Sequence, residues 1–186
     1  KDTDGLTFES AYGMLCMKLA FAFQDYQFLL DDDAISDDDK GIFKRILGRT
    51  ASMDETKSCF LLLTRMLEIH FKKSAVIILD EYDVPIAKAS SNGYYSQMLD
   101  VMRAIMSTTL KDNTSLDFAV VTGCLKIAKE SIFTGTNNFV SDTILSPRLS
   151  ESFGFTQADV DQMLNDAGLE SQSAEIKAWY DGYHFG

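Results

Sequence analysis

Ala75-Val76-Ile77-Ile78-Leu79 is a run of five apolar residues that leads directly into Asp80-Glu81-Tyr82-Asp83. A short, unbroken apolar run predicts a strand buried on both faces, as in a parallel sheet covered by helices. Open α/β sheets bind their ligands at the carboxyl ends of such strands, where these acids fall. Two readings fit the pattern. In one, the carboxylates serve a ligand. In the other, the acidic end of a buried strand caps the next helix.

The first reading corresponds to the Walker B element of P-loop nucleotide hydrolases. There an aspartate helps to hold Mg²⁺, and a following glutamate orients or deprotonates the attacking water. Such proteins also need G-x-x-x-x-G-K-[ST], whose backbone N–H groups wrap the phosphates. The nearest string, Gly48-Arg49-Thr50 with Gly41 upstream, has the wrong glycine spacing, an arginine in place of lysine, and an acidic run before it. The chain opens at Lys1 without a methionine, so the expectation is a piece of a longer protein whose phosphate loop lies upstream.

A length of 186 residues suits one domain with a substantial core, or a domain plus a small appendage. The net charge of −11 argues against broad contact with nucleic-acid phosphates by this segment alone. Asp31-Asp32-Asp33 and Asp37-Asp38-Asp39 read as a solvated turn, with cation binding as the alternative, although the spacing of a calcium loop is missing. Cys16, Cys59 and Cys124 are odd in number, scattered and set among apolar residues, which predicts reduced core thiols of a cytoplasmic protein. His70 and His184 are too few and too distant for a zinc site. No apolar run approaches the roughly 18 residues of a membrane span, so no membrane partner is expected.

Helical spacing predicts a helix from Thr7 to about Leu30, a short one with Ile42, Phe43, Ile46 and Leu47 inward, and one from the capping-box string Ser52-Met53-Asp54-Glu55 through Phe71. Glu55-Thr56-Lys57 also has the E-x-K form of restriction-type nucleases, but a helix start favours the capping role. Asp83 and Pro85 mark a helix start, and Tyr94 to Leu110 is amphipathic. Leu116–Val121 reads as a second buried strand and Val140–Leu145 as a third. Helices follow from Gln157, capped by Thr156, and from Ala174 to Tyr180. The order predicts an α/β fold in which the first two strands are adjacent and parallel, with Asp80 and Thr122 at the same sheet edge.

Five strings in order resemble one family. They are Leu79-Asp80-Glu81-Tyr82-Asp83-Val84-Pro85-Ile86, Thr122-Gly123-Cys124-Leu125-Lys126-Ile127-Ala128-Lys129-Glu130-Ser131-Ile132-Phe133, Asn137-Asn138-Phe139, Phe153-Gly154-Phe155-Thr156, and Trp179-Tyr180-Asp181-Gly182-Tyr183-His184-Phe185-Gly186. Together they resemble the predicted AAA-ATPase-like family of P-loop proteins, over roughly residues 60 to 186. The resemblance implies a partial P-loop NTPase-like parallel sheet flanked by helices. Residues 1–150 would form the Walker B and sensor half of the core, and residues 151–186 a helical lid segment. It implies ATP and Mg²⁺ as cofactors, Asp80 as the metal ligand, Glu81 and Thr122 as catalytic residues, and Lys126 and Lys129 on the phosphates. Lys126 stands where relatives often carry arginine, and lysine lacks the planar fork of a guanidinium. Val84 replaces a lysine common in the family's string.

The segment alone is expected to bind nucleotide weakly and not to hydrolyse it, with hydrolysis belonging to the intact parent protein. The alternative is a regulatory or interaction module on a P-loop-like scaffold that does not hydrolyse nucleotide. Asp181 or Tyr183 facing a ligand is weighed against simple aromatic packing. In P-loop domains the phosphate-loop strand normally lies between Leu116–Val121 and the strand expected at Val140–Leu145. Without it the two strands either close the gap between them or fill it through oligomerisation or swapping, and exposed apolar strands favour self-association.

Overall fold

The computed structural model describes residues 5–124, 139–152 and 154–180. The chain divides into two compact units, Lys1–Asn137 and Asn138–Gly186.

The first unit is mostly helical. Helix α1 (Phe8–Gln24) starts where the Thr7 hydroxyl accepts the Ser10 N–H, and Ala11, Leu15, Leu19 and Phe23 form its buried stripe at intervals of four. Phe23 packs on Phe43 of helix α2 (Asp37–Leu47), with ring centroids 4.8 Å apart. Ser36 caps α2, and Asp37, Asp38 and Asp39 occupy its first turn, where the helix dipole favours negative charge. The acidic run is therefore a cap and a helix start. Asp32 accepts the Ala34 N–H and pairs with His70, and Asp39 pairs with Arg65.

The capping box at Ser52 forms with both of its hydrogen bonds, and Glu55 also pairs with Arg45. The helix it starts does not run unbroken to Phe71. It stops as α3 (Met53–Lys57) and restarts as α4 (Cys59–Phe71), because the Ser58 hydroxyl bonds back to the carbonyls of Asp54 and Glu55 and its backbone leaves helical geometry. The break rotates the buried face of α4 onto Cys59, Leu62, Leu63 and Met66 and leaves Phe71 exposed. Burial pushes the Cys59 thiol up to about 12.

Strand β1 (Ala75–Leu79) follows, then helices α5 (Val84–Asn92) and α6 (Tyr95–Leu110), then strand β2 (Leu116–Val121). Gly93, at φ +83°, ends α5 in the left-handed conformation that glycine adopts most readily. Helix α6 buries Met98, Val101, Met102, Ile105 and Met106. The two strands pair in parallel as expected, with Ile77 opposite Ala119 and Leu79 opposite Val121, and a register shift after Ala75. Leu79 and Val121 pack against the helical core.

Two expectations about the sheet are corrected. Among the described residues the strands are covered on one face only: Val76, Ile78, Phe118 and Val120 point the other way and are exposed, Ile78 to 76%. Among the described residues the sheet has two strands. Residues 140–145, expected as a third strand, carry no strand and end in a turn. There the Thr143 N–H donates to the Ser146 hydroxyl, the Leu145 N–H to the Thr143 hydroxyl, and the Ser146 N–H to the Thr143 carbonyl. Those hydroxyls offer the backbone partners that a strand would otherwise have to find in a neighbour.

The second unit contains helix α7 (Gln157–Ala167), which begins at a Thr156–Asp159 capping box and ends at Gly168 (φ +67°), and helix α8 (Ser173–Tyr180). Helix α7 buries Leu164, whereas Met163 is exposed. Trp179 and Tyr180 are exposed as well. No helix among the described residues is long and apolar enough to cross a membrane.

Candidate functional site at the strand ends

The parallel pairing of β1 and β2 brings their carboxyl ends side by side. The Thr122 N–H donates to the Leu79 carbonyl at 2.9 Å and the Tyr82 N–H to the Thr122 carbonyl at 3.2 Å, so backbone hydrogen bonding between the two segments continues past Asp80. That register sets the Thr122 hydroxyl against Asp80, and its Oγ1 donates to Asp80 Oδ1. Both residues are exposed. An exposed carboxylate steadied by a hydroxyl thus stands at the sheet edge where α/β folds place their ligands.

Glu81 follows at φ +56°, a left-handed conformation that a residue with a Cβ adopts only when its surroundings impose it. The chain turns sharply there. Tyr82 then packs against the core, and Asp83 is buried. Burial, and to a smaller extent the charge of Asp83, raise the Tyr82 phenol above its usual range. Asp83 occupies the position before α5, and its carbonyl accepts the N–H groups of Ile86 and Ala87. Its side chain makes no capping hydrogen bond, because the backbone at φ −85°, ψ −17° is already helical instead of extended. The carboxyl group is turned toward Gly123 instead: a Cβ built on Gly123 falls 2.6 Å from Asp83 Oδ1 and 2.7 Å from Tyr82 Cε1.

Asp80, Glu81 and Thr122 are thus within one short stretch of sheet edge. Lys126 and Lys129 lie outside the described residues, as do Asp181 and Tyr183. Arg148 pairs with Asp142, which holds that carboxyl below its usual range. Cys124 is exposed, contrary to the expectation of a core thiol, because the chain leaves the sheet at Gly123. The tight approach at Gly123 was missed in the sequence, and the only signal for it was a glycine directly after a strand-ending threonine.

Mg²⁺ takes oxygen ligands, keeps several waters, and is bound through one or two carboxylates plus substrate phosphates. One exposed carboxylate with a neighbouring hydroxyl fits a cation that arrives on phosphates. No group of three or more His, Cys, Asp or Glu gathers among the described residues to form a dedicated metal cage.

Comparison with known sequences adds two findings. Residues 18–133 match the family described as Predicted AAA-ATPase. The chain is also 29% identical over 145 residues to an uncharacterized protein in the vnfD 5′ region of Azotobacter chroococcum mcd 1. That alignment covers 77% of this chain and 28% of the relative, so the chain spans under a third of that protein's length. No solved structure matches significantly.

Proposed function

Because the chain belongs to the Predicted AAA-ATPase family, we propose that it supplies the Walker B and sensor half of an ATP-binding domain whose intact form hydrolyses ATP. The observation that carries this reading is the Thr122–Asp80 hydrogen bond across the ends of two adjacent parallel strands. In a P-loop-like architecture the strand-end aspartate and a hydroxyl on the neighbouring strand face the nucleotide phosphates.

Asp80 is the residue that holds Mg²⁺, which when bound spreads and neutralises the charge of the phosphates. Thr122 keeps the Asp80 carboxylate oriented through its hydroxyl. Glu81 orients the attacking water and accepts its proton, and the turn at φ +56° sets the direction of its side chain. Lys126 and Lys129 contribute positive charge to the phosphates. Residues 1–150 form this half of the core, and residues 151–186 act as a helical lid segment. A phosphate loop of the form G-x-x-x-x-G-K-[ST] would complete such a site, and the protein acts in the cytoplasm.

The test uses the longer parent protein. Glu81→Gln keeps ATP binding within about threefold while kcat falls at least roughly a hundredfold, because only the proton-accepting group is lost. Asp80→Ala weakens binding of Mg·ATP as well. Unchanged turnover in Glu81→Gln contradicts the reading. Tight ATP binding with no turnover in the wild-type protein identifies a regulatory module instead.

A further inference from the structure

Gly93 and Gly123 are special for opposite reasons. Gly93 has a left-handed backbone at φ +83° and open space around it. Gly123 is outside that backbone region, but the space beside it is taken: a Cβ there meets Asp83 Oδ1 at 2.6 Å, Tyr82 Cε1 at 2.7 Å and Asp83 Cγ at 3.0 Å, so those side chains have to shift to admit it. The demand at Gly123 is for space. What fills that space is the pair of residues immediately after Glu81.

We propose that Gly123 is a positioning residue for the Asp80–Glu81–Thr122 edge, acting by letting Tyr82 and Asp83 close onto the end of β2. Three links make the coupling. Thr122 is bonded to Asp80 through its side chain and to Leu79 and Tyr82 through its backbone. Tyr82 and Asp83 are anchored in turn, Tyr82 against the core and Asp83 by burial at the start of α5. Between these fixed points sits Glu81, in a conformation that persists only under constraint. A side chain at position 123 pushes Tyr82 and Asp83 off β2, lengthens the Tyr82–Thr122 hydrogen bond, and releases the turn that aims Glu81. The catalytic meaning of that aim rests on the function proposed above; the mechanical coupling does not.

Hydrogen exchange on the chain itself tests the coupling without nucleotide. In Gly123→Ala the amides of Thr122 and Tyr82 exchange at least about tenfold faster relative to the amides of α6, because the junction opens locally. Gly93→Ala strains the backbone at the opposite end of α5 and leaves that ratio at its wild-type value. An unchanged ratio in Gly123→Ala, or an equal rise in Gly93→Ala, overturns the proposal. A double-mutant cycle with Asp83→Ala gives a second reading, because Asp83 Oδ1 is the atom that a Cβ at position 123 meets first. Trimming the carboxyl makes room, so Gly123→Ala is tolerated better in that background, and strict additivity overturns the steric mechanism. In the longer protein, Gly123→Ala lowers kcat at least about tenfold with the Kd for ATP within about threefold, whereas Gly93→Ala keeps kcat. A wild-type protein without ATPase activity refutes the function and leaves the exchange result to decide the coupling.

Discussion

Ile78 and Ile86 lie eight residues apart and differ sharply in burial, 76% against 2% exposed, which makes them a direct test of the one-sided sheet. Ile78 retains about a quarter of the burial open to it. Complete burial of an isoleucine contributes about 1.5–3 kcal/mol, so Ile78 contributes about 0.4–0.8 kcal/mol. Ile78→Thr keeps the β-branch that suits a strand, so its cost is about 0.5 kcal/mol or less. Ile86→Ala empties a packed site between α5 and its neighbours and costs about 3 kcal/mol. For a chain of this size each kcal/mol moves Tm by about 2–4 °C, which gives a fall of under about 2 °C for the first variant and about 6–12 °C for the second. Thermal unfolding followed by circular dichroism at two protein concentrations measures both. A loss of about 2 kcal/mol or more in Ile78→Thr, independent of concentration, means that the outer sheet face is covered within the chain and refutes the reasoning. The same loss appearing only at the higher concentration shows that another copy covers it.

Phe23→Ala removes a fully buried ring that packs at a tilt on Phe43 and costs about 3–5 kcal/mol by urea denaturation; a cost below about 1 kcal/mol means that α1 does not dock on α2. Arg45, and then the Ser52 N–H, lower the Glu55 carboxyl from 4.5 to about 2. A carboxyl depressed by folding stabilises the fold fully above its unfolded pKa and loses that contribution as pH falls through the folded value. The stability difference between wild type and Glu55→Gln is therefore constant above about pH 5 and shrinks toward about pH 2, and a difference that ignores pH over this range contradicts the pairing.

The parallel pair and the meeting of Asp80 with Thr122 were legible in the sequence, since two apolar runs separated only by helical segments have few ways to pair. The exposure of one sheet face was not. An unbroken apolar run encodes a strand covered on both sides, and Val76, Ile78, Phe118 and Val120 carry that composition although nothing among the described residues covers them. Hydroxyl side chains account for two further departures. Ser58 divides a helix that apolar periodicity carries straight through, and Thr143 with Ser146 turns a stretch whose composition reads as strand. Both are local hydrogen-bonding choices to which a hydrophobic pattern is blind. At the site, the residue types were readable, but the left-handed turn at Glu81 and the close approach at Gly123 depend on how Tyr82 and Asp83 pack, which no spacing rule encodes.

The proposed function requires nucleotide-borne metal to meet this chain at the ends of β1 and β2. Replacing Mg²⁺ by paramagnetic Mn²⁺ in the presence of ATP, and recording amide signals of the longer parent protein, tests it most directly. The amides of Asp80, Glu81 and Thr122 are expected to broaden first, and Asp80→Ala to abolish the effect. Broadening centred on the acidic stretch from Asp31 to Asp39, with the strand ends unaffected, would contradict it.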